Sequence, residues 1–275
     1  MARTIDTGTE EFTAVVGADG VAVLTMNRPA RRNAMSGEMI SGMKAALVDV
    51  EAARDVRAVV LTGAGGAFCA GGDVKGFAEG SVRGEAASFD EGVHQQRLDQ
   101  RATAGAIWRL PKPTIAVLPG PAAGAGLSLA LACDIRVAVD TAVLTTAFAK
   151  VGFSGDYGGT WFLTQLVGAG KAKELYYLAD RITMDEAQRL GIVNFVWSAA
   201  DFEAGWRSLA TRLASGPSIA YRYIKDNINR AATSGDLIEC MDQEVTYHRH
   251  CGLTEDHLEA SKAFVDKREP TFHGR

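Results

Sequence analysis

Residues 114–134, TIAVLPGPAAGAGLSLALACD, decide the fold. A short β-rich run, Thr114 to Leu118, empties into a glycine-rich turn over 120–126. A Leu- and Ala-rich helix follows, then a strand from about Asp134 to Val139. The same order stands upstream. Arg57 to Thr62 (RAVVLT) reads as a buried strand, because its apolar run is short and β-branched. It opens into a second glycine-rich loop over 63–73, GAGGAFCAGGD, and a polar, helix-compatible stretch runs from about Glu85 to Arg109. Strand, glycine turn and helix in repeated order predict an α/β architecture with parallel strands.

Working outward, Phe12–Val16 and Val21–Met26 read as a hairpin around Ala18-Asp19-Gly20. Ser36 offers an N-cap to a helix whose apolar positions Met39, Ile40, Met43, Leu47 and Val50 recur at helical spacing. From about Asp201 the pattern turns helical, in four segments broken at Gly216-Pro217, Ser234-Gly235 and Gly252. Pro217 suits a first helical turn, where its missing N–H costs nothing. These signals place a boundary near residue 200, between an α/β core (1–200) and a helical C-terminal region (201–275).

The totals exclude several classes. At 275 residues the chain can bury a substantial core. A net charge of −4 with no basic block argues against a nucleic-acid partner. No apolar run is long enough to cross a bilayer, and the first residues lack an apolar signal core, so a cytoplasmic protein is expected. Cys69, Cys133, Cys240 and Cys251 form no CxxC pair, which argues against a disulfide framework. His248, His250 and Cys251 cluster without a second set of ligands, so no metal is expected.

Glycine turns that lead into helices let backbone approach a ligand and aim unpaired amides at negative charge. No Gly-Lys-Ser/Thr follows either turn, and the GxGxxG spacing is absent from both, so a phosphate cradle is disfavoured. Two separate backbone donors on one oxygen make a different device, an oxyanion hole. It suits a thioester whose carbonyl becomes an enolate.

Residues 27–36 (NRPARRNAMS), 67–74 (AFCAGGDV) and 119–134 together resemble the crotonase, or enoyl-CoA hydratase/isomerase, superfamily. Gly158-Gly-Thr160, residues 185–193 (DEAQRLGIV) and 263–270 (AFVDKREP) match later landmarks, in order along nearly the whole chain. The resemblance implies a crotonase-like spiral of ββα turns and an acyl-CoA thioester substrate, with coenzyme A as part of that substrate and no other cofactor. It implies a trimer, commonly paired into a hexamer, built through the C-terminal helices. The two oxyanion donors would be the amides of Gly72 and Ala125; the family usually has glycine at the second place, but a backbone donor needs no particular side chain. Substrate or CoA contacts would come from Arg28, Arg31 and Ala34 in the opening motif, and from Ala70, Gly71, Asp73 and Val74 around the first turn. Gly124, Ser128 and Phe148 would line the site, and Lys267 falls where the family has a basic residue near the CoA phosphates.

The hydratases of this family hold water between two glutamates, and the aligned places here are Ser128 and Phe148. Neither is a carboxylate, so hydration is disfavoured. Asp156, two residues before the Gly158-Gly159 pair, aligns with the aspartate that moves protons in the dienoyl- and ring-epoxide acyl-CoA isomerases. In the aryl-CoA dehalogenases an aspartate there is the nucleophile, with a histidine on the preceding helix; here that place holds Arg101, and His94 lies seven residues earlier. The expected function is therefore double-bond or ring isomerisation with Asp156 as acid/base and a pKa raised by burial. The alternatives are a hydratase, hydrolase or dehalogenase reaction, a non-catalytic acyl-CoA binder or an RNA-associated homologue. For single residues, Asp156 as a helix cap and Ser128 bonded to its own helix stay open. Residues 76–105, including Phe77, Phe89 and Leu98, are expected to shape the acyl pocket, with contributions from Trp161 and Phe162.

Overall fold

The computed structural model describes residues 2–73 and 88–275. In chain order its strands are β1 (Arg3–Ile5), β2 (Phe12–Val16), β3 (Val21–Met26), β4 (Ala58–Gly63) and β5 (Thr114–Leu118). After these come β6 (Ala122–Ala123), β7 (Ile135–Val139), β8 (Val143–Thr145), β9 (Ile182–Thr183) and β10 (Phe195–Trp197). The main sheet runs β1-β2-β3-β4-β5-β7-β10. Its first three strands are antiparallel, the expected hairpin pairing Phe12 with Met26 and Val16 with Ala22. From β3 onward every pairing is parallel. Parallel strands are covered on both faces, and Val59, Val60, Leu61, Ile115, Ala116 and Val117 are accordingly all buried.

Helix Gly37–Ala52 begins as its sequence predicts: the Ser36 hydroxyl accepts from the Met39 amide, and Met39, Met43, Leu47 and Val50 are buried. The polar stretch before Arg109 differs from the expectation of one helix. Its described part, from residue 88 on, forms two, Phe89–Ala102 and Ala104–Arg109, broken at Thr103, where the backbone turns to φ −117°, ψ −91°. Thr103 is fully buried and its hydroxyl donates to the Asp99 carbonyl at 2.6 Å, a side-chain bond that competes with helix continuation. Pro217 sits at the N-cap of helix Ser218–Ser234 rather than in its first turn, because its ψ of 89° is not helical.

A second sheet, β6-β8-β9, was not expected from the sequence. Its strands are two or three residues long, too short for a period-2 pattern to register. β6 lies inside the second glycine turn, and pairing to β8 stiffens that turn.

Of the four helices past residue 200, Phe202–Ala214 packs on the sheet through Phe202, Trp206, Ala210 and Ala214. Ser218–Ser234 buries only Lys225, and Leu237–Cys251 buries nothing within the chain. Among the described residues no helix is long and apolar enough to cross a membrane.

Candidate active site

Two stretches far apart in sequence are tied together by one side chain, and backbone bonds add a third. Asn33 is fully buried, its Oδ1 accepting from the Arg28 amide at 2.9 Å. Its Nδ2 donates to the carbonyls of Ala64, Ala67 and Phe68, at 2.9, 2.8 and 3.2 Å. The first glycine turn is thereby locked to the opening motif. Met35 N bonds Gly71 O at 2.8 Å, and Ala70 N bonds Arg32 O at 3.0 Å. The two glycine turns are joined in the same way, with Ala123 N on Cys69 O at 2.9 Å and Phe68 N on Pro121 O at 3.0 Å.

These bonds press the turns backbone to backbone. A Cβ on Gly71 would fall 2.8 Å from Ala123 O and 3.3 Å from Ala125 N, so the first turn touches the start of the helix Ala125–Ala132. Gly124, the N-cap of that helix, has φ 51° and ψ −126°, a conformation closed to residues with a side chain. The Ala125 amide is thus the first of a wholly buried helix, where no intrahelical acceptor exists. Neither Gly72 N nor Ala125 N has a backbone or side-chain acceptor among the described residues.

Gly72 and Ala125 both line a cavity of about 400 Å³, together with Ala70, Gly71, Gln96, Gly124, Ala147, Phe148, Val151 and the loop 153–156. Its one carboxylate among the described residues is Asp156. Asp156 Oδ1 is buried with no hydrogen-bond partner, and burial pushes its pKa up to about 6. The capping alternative does not hold: the helix Gly159–Leu178 has Gly158 as its N-cap and no side-chain cap. The loop is pinned instead by Tyr157, at φ 48°, whose amide donates to Gln100 Oε1 at 3.0 Å.

The remaining expected positions divide. Phe148 lines the cavity, its ring parallel to Tyr176 with centroids 5.9 Å apart. Ser128 is not on the cavity wall. It is buried, its hydroxyl donating to Gly124 O one turn back at 3.3 Å, which is the packing alternative its sequence left open. Arg28 pairs with Glu11 at 3.0 Å and Asp73 at 3.7 Å and donates to Ala34 O at 2.6 Å. It braces the first turn rather than lining the cavity. Ala34 is buried, and Arg31 and Lys267 are exposed. Val74 and Phe77 lie outside the described residues.

Phe89 and Leu98 are exposed and do not line the cavity, nor do His94 or Arg101. From that helix Gln96 does. Trp161 and Phe162 face a different groove, shared with Trp108 and helix Ser218–Ser234. Sequence reasoning missed Gln96, Gln100 and Tyr176, and gave Asn33 no role. Only Asn33 carried a signal, its place within the opening motif.

Comparison with known proteins identifies the family. The family model described as Enoyl-CoA hydratase/isomerase matches residues 17–275. A Rhodobacter capsulatus protein named "Probable enoyl-CoA hydratase" is 36% identical, over 94% of this chain and 96% of its own length. The 1,2-epoxyphenylacetyl-CoA isomerase of Escherichia coli is also 36% identical, over 93% and 96%. The crystal structure of an enoyl-CoA hydratase from Bacillus anthracis superposes with a TM-score of 0.88 at 31% identity, covering 97% of this chain and all of the other. With paired glycine turns, two free amides on one cavity and matches of this extent, the chain belongs to the enoyl-CoA hydratase/isomerase family of the crotonase superfamily, whose members act on acyl-CoA thioesters.

Proposed function

We propose that the protein is an acyl-CoA isomerase in which Asp156 carries a proton between two carbons of the acyl group. The Gly72 and Ala125 amides hold the thioester oxygen as it becomes an enolate. In the simplest case the Asp156 carboxylate removes a proton from C2 of a 3-enoyl thioester. Charge spreads onto the thioester oxygen, and the carboxylic acid returns the proton at C4 to leave the conjugated 2-enoyl product. A ring epoxide opened through the same enolate would use the same groups. No oxidant, metal or further cofactor enters a redox-neutral proton shift, and coenzyme A is present only as part of the substrate.

The observation that carries this reading is the half-buried Asp156 carboxylate, its buried Oδ1 unpartnered, on the same cavity as the Gly72 and Ala125 turns. A carboxylate with a pKa near 6 can take a proton at neutral pH and give it back. Hydration would need a second group to orient water; the two aligned places hold Ser128, turned into its own helix, and the Phe148 ring.

The test is to incubate the protein with a 3-enoyl-CoA and a 2-enoyl-CoA, following mass and ultraviolet absorbance. Conversion of the first at unchanged mass is expected, with a rate that rises with pH through about 6. Asp156→Asn should lower kcat by about 10²- to 10⁴-fold and leave CoA affinity unchanged. Addition of water to the 2-enoyl substrate would replace this reading with hydration. Indifference to Asp156→Asn would leave an acyl-CoA binder.

The proposal extends to a cytoplasmic homotrimer or hexamer, without nucleic-acid or membrane partners. Residues 201–275 would serve its assembly, and Lys267 would reach CoA phosphates, including those bound by a neighbouring copy.

A further inference from the structure

Asp156 Oδ1 has no hydrogen-bond partner, although its loop runs along an open cavity. Asp156 is half-buried and itself lines the cavity, so the burial of Oδ1 needs a group on the side of the loop away from it. Tyr176, on helix Gly159–Leu178, is placed to be that group. A Cβ on Gly155 would lie 3.2 Å from its ring edge at Cε1, and one on Gly159 would lie 2.8 Å from its hydroxyl. Tyr176 thus fills the space behind the loop, with its ring edge against Gly155 and its hydroxyl against Gly159. Its other face is stacked on Phe148, which lines the cavity itself. The hydroxyl and the Ser128 Oγ, which would lie 2.2 Å from the same Gly159 Cβ, both crowd that glycine, and the hydroxyl makes no bond to Asp156 Oδ1.

We infer that Tyr176 is a positioning residue of this site: its ring, braced by Phe148, closes the rear of the Asp156 loop and keeps water from the carboxylate. The inference rests on Asp156 being the working acid, but not on which reaction that acid serves. The effect belongs to the ring, because a hydroxyl bonded to the ionised carboxylate would favour its charge rather than oppose it.

The groups around the loop are consistent with exclusion of water as the cause. Burial, and after it the Asp156 charge, holds up the pKa values of Tyr157 on the loop and Tyr176 on the following helix. From helix Phe89–Ala102, Gln100 holds the loop backbone, while Asp99 acts on Tyr157 and is paired with Lys44. From the first glycine turn Cys69, a buried thiol whose pKa burial pushes up to about 12, acts on Tyr157. Burial alone accounts for the raised Asp156 pKa.

The experiment is a ¹³C NMR titration of the Asp156 carboxyl, assigned by its loss in Asp156→Asn, in the wild type, Tyr176→Phe and Tyr176→Val. Wild type and Tyr176→Phe should titrate near 6, and Tyr176→Val should fall toward 3.8. At pH 5 that raises the ionised fraction by about tenfold. If Val unsettles the helix, Tyr176→Leu removes the ring with less loss of volume and carries the same expectation. A value near 6 without the ring, or a Phe variant that shifts as far as Val, would overturn the inference. A shift as expected in a protein that isomerises no enoyl-CoA would sink the proposed reaction and leave Tyr176 in its role; isomerisation with no shift would do the reverse.

Discussion

Asp156 gives the protein a pH dependence whose sign can be worked out. Its folded pKa, about 6, is above its ordinary 3.8 because burial penalises the charge. Between those values the folded state binds more protons than the unfolded chain, so this group's contribution to stability falls as pH rises through the window. The full shift corresponds to at most about 3 kcal/mol. Asp156→Asn should therefore raise the melting temperature at pH 8 and leave it nearly unchanged at pH 4, as thermal unfolding at both pH values would read. A variant that is no more stable at pH 8 would mean the carboxylate is better solvated than its burial indicates. At this scale the sequence was partly legible. Asp156 stood out because it is the lone acid beside a glycine pair in a motif of known order. Ser128 did not declare its direction, since a serine one turn into a helix faces either a ligand or its own backbone, and only packing chooses. Tyr176 was silent, because its role comes from two glycines and a phenylalanine remote from it in the chain.

Among the elements, the glycine turns and the long parallel strands were legible because their chemistry is local: β-branched runs, turn glycines and a serine cap at the right spacing. What was not legible depends on contacts between elements. The break at Thr103 needs a buried hydroxyl, the small sheet needs the two turns already docked, and the Asn33 bonds need three carbonyls presented together. The attachment of the C-terminal helices is another such contact. Lys225, nearly buried, reaches from helix Ser218–Ser234 to Asp134 Oδ2 at 2.9 Å and to the carbonyls of Ile107 and Lys112 at 3.3 Å. Asp134 also accepts the Thr114 amide and hydroxyl, at 2.8 and 2.9 Å, so the ion pair fastens the helix to the start of β5. Asp134 remains about a quarter exposed, at 28%, which moderates the cost of leaving it unpaired. Lys225→Ala should destabilise the protein by about 2–3 kcal/mol in chemical denaturation. Lys225→Met, which fills the space without the charge, should recover part of that loss. The Gly124 cap makes a sharper local demand, since its φ of 51° with ψ −126° strains any side chain. Gly124→Ala should cost about 1–3 kcal/mol and displace the Ala125 amide. Turnover should then fall more than CoA affinity.

For the whole molecule, the decisive feature is a helix that has no core of its own. Leu237–Cys251 runs for 15 residues and buries none of them within the chain. An isolated helix of that length is marginal in water, so it needs an apolar face covered by something. Leu237, Ile238, Met241 and Val245 recur at helical spacing and are all more than half exposed. Ile224 and Ile228, one turn apart on the neighbouring helix Ser218–Ser234, are also more than half exposed. An exposed apolar stripe of this kind on a folded chain marks an interaction surface. A second copy is the partner that the proposed trimer or hexamer supplies. Light scattering should then give a particle of three or six chain masses. Replacing Met241 and Val245 with lysine places charge in the middle of the stripe and should release monomers. Those monomers should melt at lower temperature, because the assembly no longer stabilises the fold by mass action. The site would be affected far less if each copy holds its own Gly72, Ala125 and Asp156, as the single-chain cavity indicates. A monomeric variant that keeps its turnover per chain but loses CoA affinity would assign the neighbour, through Lys267 or its surroundings, to the CoA end alone. A wild type that is monomeric at micromolar concentration would end the assembly proposal and leave the exposed stripe to a different partner.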